Sequence, residues 1–210
     1  MNNPAFISLI AMRQSCIDFR DSDALTCRRA ERGFTLIELL ITLSIAVILL
    51  TVAIPSFRDF LLNSRLSAQT NELVLALTLA KSEAVKRGSL VTVCSRSTNT
   101  ACAGSTTWDS GWLVFVDGGV AGTVDGADVV LQVGPELTGG NTLRSGLQRV
   151  TFQNTGFSPG FGGTFRLCDA RGASEAHGLI VSLQGRIRRA TDSNADGTEE
   201  DGSGNNLVCP

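Results

Sequence analysis

Residues 34–55 form an apolar run whose only ionisable side chain is Glu38. About 21 such residues make a helix long enough to cross a bilayer. Pro55 closes the run and predicts a kink or local melting, because it lacks an amide hydrogen and crowds the preceding turn. Beyond it, Leu61, Leu62, Leu66, Leu73, Val74, Leu77, Ala80, Ala84 and Val85 recur at three- and four-residue steps. Arg58, Asp59, Arg65, Glu72, Lys81, Glu83 and Lys86 fall between them. This pattern predicts an amphipathic helix over 56–88 with one face for a core, stopped by Gly88. The period then becomes two. Strands are predicted at 90–94, 112–116, 129–133, 150–153, 164–168, 179–183 and 186–189, separated by Gly, Asn, Asp and Ser clusters. One long helix followed only by strands predicts an α+β class, with an antiparallel sheet laid on the apolar face of the helix. The β-rich part covers 89–210, and its acidic, Gly/Ser/Asn-rich stretch 191–206 is expected to be a mobile loop.

Composition sharpens this picture in two ways. The chain is 43% hydrophobic and 18% charged, which excludes disorder of the whole, and the net charge of −2 gives no global attraction to nucleic acid. Any such binding must be local. The single histidine, His177, excludes a His-rich metal site and leaves no Ser–His–Asp constellation. His177, Trp108 and Trp112 are read as structural, and the chain as no enzyme.

Residues 1–33 carry Arg13, Arg20, Arg28, Arg29 and Arg32 just before the span. Such charge keeps that end cytoplasmic and sends the C-terminal part outward. No small-residue cleavage site closes the apolar run, so a plain signal anchor is the simplest reading. The local sequence is more specific. Arg32-Gly33-Phe34-Thr35-Leu36-Ile37-Glu38 resembles the type IV prepilin signature. The resemblance implies a leader, 1–33, cut by prepilin peptidase between Gly33 and Phe34, and N-methylation of Phe34. It also implies that Glu38, the fifth mature residue, serves filament assembly. The leader is longer than usual in that family, and Met12 is an alternative start. A carboxylate in a bilayer span costs about 2.5–3.5 kcal/mol at mid-span and less near its edge. The new α-amine, its own or a neighbouring subunit's, would be a partner of opposite sign; the alternative is that Glu38 sits among headgroups.

Three later strings narrow the family. Residues 80–88 (Ala-Lys-Ser-Glu-Ala-Val-Lys-Arg-Gly), 111–117 (Gly-Trp-Leu-Val-Phe-Val-Asp) and 165–172 (Phe-Arg-Leu-Cys-Asp-Ala-Arg-Gly) resemble elements of the GspH/FimT group. The resemblance implies a minor pilin or pseudopilin, anchored once in the bacterial inner membrane with its β domain periplasmic. Its partners would be other pilins of a type IV pilus or of a type II secretion pseudopilus. Asp117-Gly118-Gly119 departs from the richer Asp/Asn turn of relatives, which puts ion binding there in doubt.

Cys16 and Cys27 fall in the leader, and Cys94, Cys102, Cys168 and Cys209 remain. Export favours two disulfides, and four cysteines allow three connectivities. Cys94–Cys102, closing a short loop, and Cys168–Cys209, tying down the tail, are the preferred pairs. Arg186, Arg188 and Arg189 form a local basic cluster. In a strand the first two share a face about 7 Å apart, a spacing that suits neighbouring phosphates. The Gly185-Arg186-Ile187-Arg188 string resembles a FimT motif, which implies binding of double-stranded DNA during uptake. The competing reading is a solvated edge strand whose arginines pair with the acidic tail. Asp192, Asn194 and Asp196, followed by Gly197, have the spacing that opens a Ca²⁺ loop, but the twelfth position is Ser203, not glutamate. Glu199, Glu200 or Asp201 would have to supply the last ligand. A plain acidic loop is the alternative.

Overall fold

The computed structural model describes residues 33–210. The expected leader, with its arginines, its two cysteines and Met12, lies outside the described residues. Two compact units are present, divided after Leu50.

Helix α1 (Leu36–Arg87) begins in the first unit. Thr35 caps it: its hydroxyl accepts the Glu38 amide at 3.2 Å, and its carbonyl accepts the Leu39 amide at 3.1 Å. Threonine at the cap with glutamate three residues on is the sequence form of a capping box, and Glu38 also meets the positive end of the helix dipole. The described residues of this unit are exposed throughout. One window of 18 residues in α1 has a mean hydropathy of 2.7 and no burial, so the helix is long and apolar enough to cross a membrane.

The helix is unbroken at Pro55, contrary to the local melting expected there. Propagation is cooperative, so one missing amide is outweighed by intact turns on both sides. The Ser56 hydroxyl donates to the Val52 carbonyl at 3.2 Å, adding a local bond at the same turn.

In the second unit the buried stripe of α1 is Leu66, Thr70, Leu73, Ala76, Leu77, Ala80 and Ala84. Leu61 and Val85, expected on this face, are exposed, while Thr70 and Ala76 join it. Thr70 is accommodated because its hydroxyl donates to the Leu66 carbonyl at 2.8 Å. Gly88, at φ +66°, takes the left-handed conformation that ends the helix.

Nine strands follow: β1 (Val91–Thr98), β2 (Ala101–Cys102), β3 (Trp112–Val116), β4 (Val129–Val133), β5 (Thr142–Ser145), β6 (Arg149–Phe152), β7 (Gly163–Cys168), β8 (His177–Val181) and β9 (Ile187–Arg189). They make two antiparallel sheets. One runs β2-β1-β3-β4, with β6 also paired to β1; the other runs β5-β7-β8-β9. The inward residues of both sheets meet the helix stripe in one cluster that includes Val91, Val93, Trp112, Val114, Phe152, Phe165 and Leu179. Trp108 lies outside any strand yet is fully buried, edge-on to Phe165 at 4.9 Å, with its indole nitrogen donating to the Leu147 carbonyl at 2.9 Å.

Two short strands, β2 and β5, lie outside the sequence expectation. Thr142-Leu143-Arg144-Ser145 holds one apolar residue and offers no run to read. Leu90, Gln153, Ser182 and Leu183, expected in strands, lie outside the observed ones, and Arg186 precedes β9. Cys94 bonds Cys102, which staples β2 to β1, and Cys168 bonds Cys209, with Cα–Cα distances of 5.7 and 5.9 Å.

Because Phe165 is fully buried against Trp108, Phe165→Ala should cost about 3–5 kcal/mol by the usual penalty for an emptied aromatic site. Chemical denaturation should read this as a lower midpoint; an unchanged midpoint would contradict the packing described.

Candidate functional site

The arginine cluster sits on the β8–β9 hairpin. Leu179 pairs with Arg189, Ile180 with Arg188 and Val181 with Ile187. Since Leu179, Val181 and Ile187 face the main core, alternation puts Arg189 on that side and Arg188 on the outer one. The turn is tied by Ser182, whose amide donates to the Arg186 carbonyl at 2.9 Å and whose hydroxyl accepts the Arg186 amide at 3.1 Å. Gly185 has φ +69°, and a Cβ there would lie 2.0 Å from the Gly156 carbonyl oxygen, so only glycine fits. From the helix, the Lys81 ammonium donates to the Gly185 carbonyl at 2.9 Å. The hairpin is therefore held from the helix side.

This placement divides the cluster. Arg189 donates to the Asn71 side chain at 2.8 Å and serves as a second tie to the helix. Arg186 and Arg188 are exposed, and neither enters an ion pair among the described residues. The three arginines do not form one patch, and the acidic tail does not neutralise them.

The tail itself is a hydrogen-bonded structure. The Gly202 amide donates to the Thr164 hydroxyl at 3.1 Å, and Leu207 packs with Cys168 and Ala176. The segment thus crosses the outer face of the second sheet, where Thr164 pairs with Ile180. Glu199 accepts the Gly178 amide at 2.7 Å and lies 3.2 Å from the His177 ring. The stretch expected to be a plain mobile loop is stitched down because its carboxylates accept backbone amides.

Bonds of the same kind reach the candidate cation ligands. Asp192 accepts the amides of Asp196 and Gly197 at 3.2 and 2.8 Å, and Asn194 accepts that of Asp196 at 2.9 Å. Hydrogen bonds from the Asn206 and Asn194 side chains and the Thr198 amide hold the Asp196 carboxyl below its usual range. Glu200 is buried and turns into the loop, but it accepts the Ser193 and Asn194 amides at 2.7 and 3.3 Å. Among the described residues no three His, Cys, Asp or Glu side chains converge on a metal position.

The residues 168–172 form a second fastening. Burial by itself would raise the Asp169 carboxyl, but hydrogen bonds and charge from Arg171 outweigh it and hold the group below its usual range. Arg171 also donates to Asn63 of the helix at 2.8 Å. His177 begins β8, where sequence reasoning left it as structural.

Sequence reasoning missed Arg144 and Arg166. They face each other across β5 and β7 and line an open groove of about 310 Å³. The only sequence signal was the outward position of Arg166 between Phe165 and Leu167.

Because no three acids converge among the described residues, Ca²⁺ at about 1 mM, the affinity range of extracellular calcium modules, should not raise the melting temperature. A rise that Asp192→Asn removes would reinstate a cation site.

The model of the family described as "Type II transport protein GspH" matches residues 69–185, and that of the "Prokaryotic N-terminal methylation motif" matches residues 28–54. Two crystal structures of the type IV minor pilin FimU from Pseudomonas aeruginosa (strain PAO1) are similar to this chain. The P21 form is 22% identical and covers 61% of this chain and 90% of that one, at a TM-score of 0.49. The P65 form is 22% identical and covers 60% and 93%, at a TM-score of 0.48. With more than half of its length matched by the first model, the chain belongs to the GspH family of pseudopilins and minor pilins and carries the N-terminal methylation motif that implies processing by prepilin peptidase.

Proposed function

We propose that this protein is a minor pilin that is cut after Gly33, methylated on Phe34 and inserted into a type IV pilus through its N-terminal helix. The observation that carries this reading is the exposed apolar stretch that starts at Phe34 and holds a single acid, Glu38, in the first helical turn. Such a surface cannot remain in water, and a bilayer or a bundle of like helices covers it. In the bundle, the amine of Phe34 from a neighbouring subunit offsets the buried charge of Glu38. The helix cap is separable, since alanine at position 38 loses a carboxylate but keeps the amide that the Thr35 hydroxyl accepts.

The domain from about Ser56 onward is periplasmic in this reading, and the membrane is the bacterial inner membrane before assembly. Sheared pili should contain the chain beginning at N-methyl-Phe34, and Glu38→Ala should leave the protein cleaved but absent from them. Normal recovery of the variant would overturn the assembly role. If the chain were missing from pili while its deletion stopped type II secretion, the pseudopilin reading would replace this one.

A second reading adds contact with DNA. It is favoured by the exposure of Arg186 and Arg188 beside a fixed turn, without carboxylate partners. With Arg189 engaged by Asn71, two phosphate contacts remain, so log affinity should fall with log salt at a slope of about −2 on duplex DNA. Arg186→Gln with Arg188→Gln should remove most of this binding and lower transformation, while pilus incorporation stays normal. Unchanged binding and transformation would leave the hairpin as a solvated edge.

A further inference from the structure

We infer that the groove between β5, β7 and the C-terminal segment binds a carboxylate side chain presented by a neighbouring protein subunit. Arg144 and Arg166 are directly opposite in the β5–β7 register, and both are half-buried. Like charges in that position destabilise a sheet. Arg144 is answered by Asp109, with which it forms an ion pair. Arg166 has no hydrogen-bond or ion-pair partner among the described residues, the Asp109 bonds being confined to Arg144 and the Leu143 amide. The fold therefore keeps one uncompensated guanidinium beside another, facing an open space of about 310 Å³.

The lining says what fits there. Thr106 and Ser145 flank the arginines, and Val208, Cys209 and Pro210 form the other wall. The Cys168–Cys209 disulfide holds that wall against the end of β7. A planar guanidinium matches a carboxylate through paired hydrogen bonds, and the Val208 and Pro210 side chains suit the methylenes of an Asp or Glu side chain. A nucleic-acid backbone is less well matched, because it binds through several cations in a row and only one is unanswered here. A neighbouring subunit as the source rests on the assembly reading above.

The test uses the full chain in detergent micelles, labelled on arginine with phenylglyoxal and mapped by mass spectrometry. The probes are the blocked tripeptide Gly-Glu-Gly, its Gly-Gln-Gly counterpart and a short DNA duplex. With a dissociation constant of about 10 mM, about 20 mM of the glutamate peptide should slow labelling of Arg166, and of Arg144 beside it in the groove, about threefold. Arg186 should label at the same rate with or without it, and the glutamine peptide should protect neither. Arg166→Gln, which removes a like-charge contact and should not lower the melting temperature, should abolish protection of Arg144. No protection by the glutamate peptide, equal protection by the glutamine peptide, or protection by the duplex alone would overturn the proposal. This labelling reads the groove without a filament, so its failure is distinct from failure of Glu38→Ala to block assembly.

Discussion

The second unit depends on one apolar stripe of α1 being shared by two sheets. Leu66, Leu73 and Leu77 fill the space between them, and Ala76, Ala80 and Ala84 are fully buried, so the strands approach the helix closely. Neither sheet has another partner for its inner face: Val91, Val93, Val114 and Phe152 from one meet Phe165, Leu167, Leu179 and Val181 from the other across this helix. Each fully buried side chain of this kind contributes about 1.5–3 kcal/mol. A larger residue at Ala80 would push both sheets away, because interiors packed to this density have no free volume to yield.

The outer faces are closed by different means. On the first sheet, the Cys94–Cys102 disulfide and Val124 of the long β3–β4 loop cover Leu113 and Phe115. That loop is stitched by aspartates: Asp117 accepts the Thr92 hydroxyl and the Gly122 amide, both at 2.7 Å. On the second sheet the C-terminal segment does the covering, with Leu207 and the second disulfide. In both places carboxylates accept backbone amides, which supplies partners that irregular backbone would otherwise lack. Abundant Asp in these loops thus supplies acceptors for backbone amides.

The polar surface is ordered by its ties to the helix. Lys81, Asn71 and Asn63 reach the β8–β9 turn, Arg189 and Arg171 respectively. These ties leave Arg186 and Arg188 free on a fixed hairpin. Arg188 shares the outer face of the second sheet with Arg144 and Arg166 but lies toward the opposite edge, with the tail fastened to Thr164 and Gly178 between them.

The sequence by itself determined the helix and its stop, because apolar periodicity and glycine act within a turn or two of where they stand. It also determined most strands, the family strings and the cysteine set, since alternation and oxidation chemistry are local or compositional. Tertiary structure alone decided the rest. Thr142-Leu143-Arg144-Ser145 becomes a strand only because β7 supplies its hydrogen-bond partners. Arg189 is taken from the basic cluster by Asn71, 118 residues away in sequence. The acidic tail is ordered by the Thr164 hydroxyl, the Gly178 amide and a bond to Cys168, none of them near it in sequence. Periodicity reports which face a residue takes along its own element, whereas the partner it meets depends on how distant elements are brought side by side.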